Sequence, residues 1–130
     1  MKKRVFVVED HAAVRQGIVE TINRETDLVV CGEADEVSLA LESLSTASAD
    51  LVLIDIQLKS SSGLELIREL RRLFPALPTV GMTMFDPVRY ERQARAAGAS
   101  GFVVKQEGAE QMLAAIRRAL FRDPQGSEYE

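Results

Sequence analysis

Five short apolar runs, at 5–8, 28–31, 51–54, 79–82 and 102–104, alternate with five segments of helical period. The runs are almost continuously apolar rather than alternating, the pattern of parallel strands covered on both faces. Between them, Val14/Ile18/Ile22, Val37/Ala40/Leu41/Leu44, Leu66/Ile67/Leu70/Phe74 and Leu113/Ile116/Leu120 form apolar stripes at three- and four-residue spacing. The fourth helix, expected from Pro87 to about Ala97, has only Val88 and alanines among Arg89, Glu91, Arg92 and Arg95, so its apolar face is small. Asp86-Pro87 reads as a helix start with Asp as the cap, and Gly98 as its stop. Pro75 and Pro78 bracket the turn before the fourth run. Such a (βα)5 chain folds as a doubly wound α/β sandwich, flavodoxin-like, with parallel strand order 2-1-3-4-5.

Sheets of this kind carry their sites at the carboxyl ends of the strands, beside the point where the strand order reverses. The residues there are chemically selective. Glu9 and Asp10 follow the first run, Asp55 ends the third, Thr83 the fourth and Lys105 the fifth. Three carboxylates in one crevice repel each other unless a cation joins them. Hard oxygen ligands with room left for water and a phosphate oxygen suit Mg²⁺. Asp55 is the natural nucleophile, since a carboxylate attacking a phosphoryl donor gives an acyl phosphate. Lys105 can neutralise phosphate charge and Thr83 can donate a hydrogen bond to it. Singly, these residues have ordinary readings: Asp10 as a cap of the first helix, Thr83 in a turn, Lys105 as strand-end decoration. Their conjunction is what points to phosphoryl chemistry.

The chain has 130 residues, 46% hydrophobic and 28% charged, enough for one domain with a proper core. A formal net charge of −4 offers no basic field for nucleic acid or anionic membrane. The single cysteine, Cys31, reads as a buried thiol and suits a reducing cytoplasm. No run approaches membrane-spanning length. His11, the only histidine, reads as a solvated rim residue at the start of the first helix. The arginines of the last two helices, interleaved with Glu91, Glu107 and Glu110, read equally well as a solvated face or a partner face. Asp123-Pro124-Gln125-Gly126 is expected to end the last helix, leaving 122–130 as a polar tail or the start of a linker after a domain over 1–121.

The stretches Val-Val-Glu9-Asp10-His, Leu-Val-Leu-Ile-Asp55-Ile, Ser62-Gly63-Leu-Glu-Leu-Ile, Met82-Thr83-Met84 and Ala-Gly98-Ala-Ser-Gly101-Phe102-Val-Val-Lys105 resemble the receiver domain of two-component response regulators. The resemblance runs to about Phe121. It implies phosphorylation of Asp55 by a sensor histidine kinase or a histidine phosphotransfer protein, without enzymatic activity beyond that self-modification and its reversal. Mg²⁺ would be held by Asp10, Asp55 and the backbone carbonyl of Gln57, with Glu9 acting mainly through water. Thr83 and Phe102 fall on the family's switch pair, which implies a signalling face on helix 4, strand 5 and helix 5, available to an output domain, a partner or a second copy. The Glu-Asp-His opening and Thr-Met resemble the subfamily whose receivers precede a LuxR-type helix-turn-helix, so transcription regulation is the implied output. No direct nucleic-acid contact by these residues is expected.

Departures from the family pattern are Lys59 and Gln106, each where proline is frequent, Met84 in place of a small residue, and Phe102 in place of tyrosine. Without proline a cis peptide after Lys105 is not expected, and the loops after the third and fifth runs are expected to differ in shape. Gly81 inside the fourth run implies a weakened strand or a close neighbour. A haloacid-dehalogenase-type phosphatase would need a second Asp where Gln57 stands. A flavin-binding domain would need a Ser, Thr or Gly-rich loop where Glu9-Asp10 would repel phosphate. A degenerate receiver kept only as an interaction module is the third alternative: the three acids and Lys105 argue against it, and the missing prolines speak for it.

Overall fold

The computed structural model describes residues 1–59, 61–84 and 86–121; the expected stop at 123–126 and the 122–130 tail lie outside them. The elements run β1 (Lys3–Val8), α1 (Ala12–Asn23), β2 (Leu28–Ala34), α2 (Val37–Ala47), β3 (Leu51–Asp55), α3 (Gly63–Leu73), β4 (Thr79–Thr83), α4 (Pro87–Ala97), β5 (Gly101–Val104), a 3₁₀ turn (Lys105–Glu107) and α5 (Ala109–Leu120). All strand pairs are parallel, in the order β2-β1-β3-β4-β5. The expected architecture and strand order are therefore present.

Successive strand residues point to opposite faces, and two apolar layers result. Val5, Val7, Leu51, Leu53, Val80 and Met82 pack on Ile18 and Ile22 of α1 and on Leu113 and Ile116 of α5. Phe6, Val8, Val52 and Ile54 pack on Ala40 and Leu44 of α2, on Leu66, Ile67 and Leu70 of α3, and on Ala94 and Ala97 of α4. Covered on both sides, β3 is buried along its whole length, which is why its sequence shows no alternation.

Several local expectations need correction. β2 continues past Cys31 to Ala34, because the register with β1 slips between Val5 and Phe6 and lets pairing resume at Gly32. A Cβ on Gly32 would come within 2.7 Å of the Phe6 ring, so glycine is what admits that close approach. Cys31 is only half-buried, though burial still pushes its thiol up from its ordinary range. Val14 is exposed, so the buried stripe of α1 is narrower than the spacing predicts. Asp86 occupies the N-cap position of α4 but its side chain caps nothing; its backbone is left-handed (φ 48°, ψ 63°). Gly98 does end α4, with φ 119° and its N–H shared by the Ala94 and Arg95 carbonyls. As expected, α4 is weakly held: Ala94 and Ala97 are its only buried residues and Val88 is 72% exposed.

Candidate functional site

The crevice lies at the carboxyl ends of the neighbouring strands β1 and β3, where the strand order reverses, with β4 and β5 following on the same side. Pairing of Val8 with Ile54 carries Glu9 and Asp55 to one level. Thr83 and Val104 pair likewise, so Lys105 emerges level with the end of β4. Glu9 and Thr83 are fully buried and Asp55 is 2% exposed.

Lys105 joins the acids. Its Nζ donates to Glu9 Oε1 and, at 3.0 Å, to Asp55 Oδ2. Asp55 Oδ1 accepts the Gln57 N–H at 2.8 Å. Glu9 Oε2 accepts the His11 N–H at 3.1 Å, and the Glu9 carbonyl accepts from Arg15 Nη1 at 2.8 Å. Burial pushes the Glu9 carboxyl up, but hydrogen bonds from Lys105 and His11 more than reverse this and leave it below its ordinary range. Asp55 goes the other way. Burial, reinforced by the neighbouring Glu9 charge, holds it above its ordinary range despite Lys105 and the Gln57 N–H. Burial depresses Lys105, yet its bonds to Glu9 and Asp55 outweigh that and leave it raised. One shared lysine thus sets two acids apart.

Asp10 does not cap α1; the N-cap position is His11, which makes no side-chain cap. Asp10 Oδ2 instead accepts the Lys59 N–H at 2.5 Å, tying the β3–α3 loop to β1. Its Oδ1 is buried with no hydrogen-bond partner. His11, expected on the rim, turns back: Nδ1 lies 3.2 Å from Glu9 Oε2 and 3.1 Å from Asp10 Oδ1. One oxygen or nitrogen from each of Glu9, Asp10, His11 and Asp55 falls within 4.8 Å of all the others. An unpartnered buried carboxylate oxygen beside further acids is a donor set that suits a hard dication.

Three further residues shape the site without a periodic signal to announce them. Thr83 Oγ1 donates to Gln57 Oε1 at 2.7 Å, and Gln106 Nε2 donates to the Met84 carbonyl at 2.6 Å. Gly63 follows the N-cap Ser62, whose hydroxyl accepts the Glu65 N–H; a Cβ there would sit 2.2 Å from the Asp55 carbonyl oxygen. Gly81 admits a close neighbour, as expected: its missing Cβ would lie 3.2 Å from the Ile56 side chain and 3.4 Å from the Phe102 ring and Ala94. Phe102 is half-buried and packs on the layer that holds α4. The peptide after Lys105 is trans, and a 3₁₀ turn occupies 105–107.

The sequence profile of the response regulator receiver domain matches residues 5–117. The chain belongs to that family, the receivers of two-component systems. It is 33% identical over 114 residues to the DNA-binding transcriptional activator DevR/DosR of Mycobacterium tuberculosis, covering 88% of this chain and 52% of that protein. It is 34% identical over 117 residues to the response regulator GacA of Pseudomonas aeruginosa, covering 90% and 55%. A LuxR-family two-component response regulator from Aurantimonas sp. superposes with a TM-score of 0.88 at 28% identity, covering 98% of this chain and 89% of that one. The response regulator domain of Thermotoga maritima CheB shares the fold, with a TM-score of 0.86 at 23% identity over 95% of this chain and 100% of that one. The chain spans about half the length of the curated relatives it matches.

Proposed function

We propose that Asp55 accepts a phosphoryl group from a sensor histidine kinase or histidine phosphotransfer protein, and that this switches the α4–β5–α5 face. The observation that carries the reading is the Asp55 carboxylate, buried yet held in place by Lys105 Nζ and the Gln57 N–H beside Asp10 and Glu9. An Asp55 oxygen forms the new bond to phosphorus as the phosphorus–nitrogen bond of a phosphohistidine breaks, the leaving imidazole keeping the electron pair. Lys105 moves from bridging two carboxylates to neutralising the added phosphate. Asp10, Asp55 and the Gln57 backbone carbonyl would hold Mg²⁺, with Glu9 behind them acting through water. Bound there, the ion would offset charge on the transferring phosphoryl group.

The Thr83 hydroxyl, now given to the Gln57 amide, is the donor that a phosphorylated Asp55 competes for. Its turn toward the phosphate opens space behind it for Phe102, and the motion is passed to α4, which few apolar contacts restrain. The domain spans 1–121, and 122–130 begins a tail or linker. In a longer chain the output is transcription regulation, as the name of DevR/DosR states for that protein, with homodimerisation through α4–β5–α5 as one route. Among the described residues no helix is long and apolar enough to cross a membrane; a cytoplasmic location, with no nucleic-acid or membrane contact by this domain, is part of the same reading. Intact-mass spectrometry after acetyl phosphate and Mg²⁺ tests it. Wild type should gain one phosphoryl group and Asp55→Asn none; equal labelling would sink the assignment.

A further inference from the structure

We infer that His11 is an additional metal ligand of this site, one that gives it a preference for a borderline transition dication such as Co²⁺ over Mg²⁺. The inference rests on the reading that Asp10 and Asp55 hold a divalent ion. It adds a nitrogen to what would otherwise be an all-oxygen donor set.

Three observations support it. The first is spacing: adjacent ligands of a six-coordinate ion with bonds of about 2.1 Å lie about 3.0 Å apart. His11 Nδ1 stands 3.1 Å from Asp10 Oδ1. The second is the state of Asp10. Its side chain is 9% exposed, and its Oδ1 has no hydrogen-bond partner even with His11 Nδ1 at that distance. Asp10 Oδ1 therefore faces the imidazole without a hydrogen bond, while Nδ1 engages Glu9 Oε2. The third is the placement of His11, whose side chain is 50% exposed, caps nothing in α1 and is turned over the acids by the contact of Nδ1 with Glu9 Oε2. Imidazole nitrogen favours later first-row ions, whereas Mg²⁺ demands oxygen ligands and dehydrates reluctantly.

The chain contains a single histidine, so on untagged protein every imidazole signal belongs to His11. Competition calorimetry with CoCl₂ and MgCl₂, without any phosphoryl donor, measures the ratio of the two affinities. His11→Ala and His11→Asn should each lower the Co²⁺-over-Mg²⁺ ratio by about tenfold, the lower end of what losing one metal-site interaction does. In proton NMR of the wild type, Co²⁺ should carry the His11 ring protons far outside the diamagnetic range. An unchanged ratio in both variants, with the ring protons unshifted, overturns the inference and leaves the Mg²⁺ reading intact. Co²⁺ bound through His11 in a protein that takes up no Mg²⁺ supports the inference and counts against that reading.

Discussion

Replacing Lys105 by methionine isolates the electrostatic design of the site from its proposed phosphoryl chemistry. Methionine keeps most of the side-chain volume and removes the one cation that bridges Glu9 and Asp55. The side chains are 0% and 3% exposed for the acids and 12% for the lysine, so water does little to compensate. Breaking a buried pair by removing one partner costs about 3–5 kcal/mol. The lower end applies here, because the Gln57 and His11 N–H groups still hold one oxygen of each acid. At pH 7.5 the variant should therefore lose about 3 kcal/mol. Burial and the Glu9 charge already hold the folded-state pKa of Asp55 above its unfolded one, and removing the lysine takes away influences that oppose them. Such a group stabilises the fold below the unfolded pKa and ceases to do so as pH rises through the folded pKa. The escape route is a shared proton, whose cost at pH 5 is about 1.4 kcal/mol for an acid of unfolded pKa about 4. The penalty should thus shrink from about 3 to about 1.4 kcal/mol between pH 7.5 and pH 5. Urea unfolding of both proteins at the two pH values reads this directly. A loss as large at pH 5 as at pH 7.5 would mean that packing, not unpaired charge, explains the variant.

Gly63→Ala should destabilise by about 1–3 kcal/mol, because its Cβ meets the backbone of Asp55 and Ile56 rather than a movable side chain; a urea midpoint unchanged from wild type would refute it. Gln106→Ala releases the Met84 carbonyl, and the loss of about 1 kcal/mol should speed amide exchange at the start of α4 about fivefold; unaltered exchange there would show that the bond restrains nothing. Beryllofluoride, as a phosphate mimic, should change exchange protection over 86–105 and in α5 while α2 stays silent; changes confined to α1 and α2 would reverse the proposed route.

The strands and their order were legible because burial on both faces writes itself as unbroken apolar runs, as in Leu51 to Ile54. The gathering of Glu9, Asp10, Asp55, Thr83 and Lys105 at one end of the sheet was legible because each stands where a run stops. What escaped the sequence depends on geometry that periodicity does not encode. Gly32 and Glu33 look like the end of a strand, yet a register slip carries pairing through them to Ala34. Asp86 has the chemistry of a helix cap, but a left-handed backbone turns it away from that role. His11 is solvated, as its neighbours suggest; what the sequence does not encode is that its ring also lies against Glu9 and Asp10.

The two positions without proline prove most informative about the proposed switch. Pro at 106 would have no side-chain donor, whereas Gln106 holds the Met84 carbonyl; Lys59, also in place of proline, supplies the N–H that Asp10 accepts. Gln57 restrains the adjacent Thr83 hydroxyl from the β3 side. The β4–α4 turn is therefore gripped at consecutive residues by two amides from different loops, each bond worth about 1 kcal/mol net. Beyond that turn α4 buries only Ala94 and Ala97, and it begins at a left-handed Asp86, a conformation that itself costs of order 1–3 kcal/mol. Grip and strain are of similar size and opposed. In the proposed switch, a new acceptor at Asp55 that draws Thr83 away from Gln57 would remove part of the grip while leaving the strain, and so would tilt α4 without disturbing the rest of the sheet.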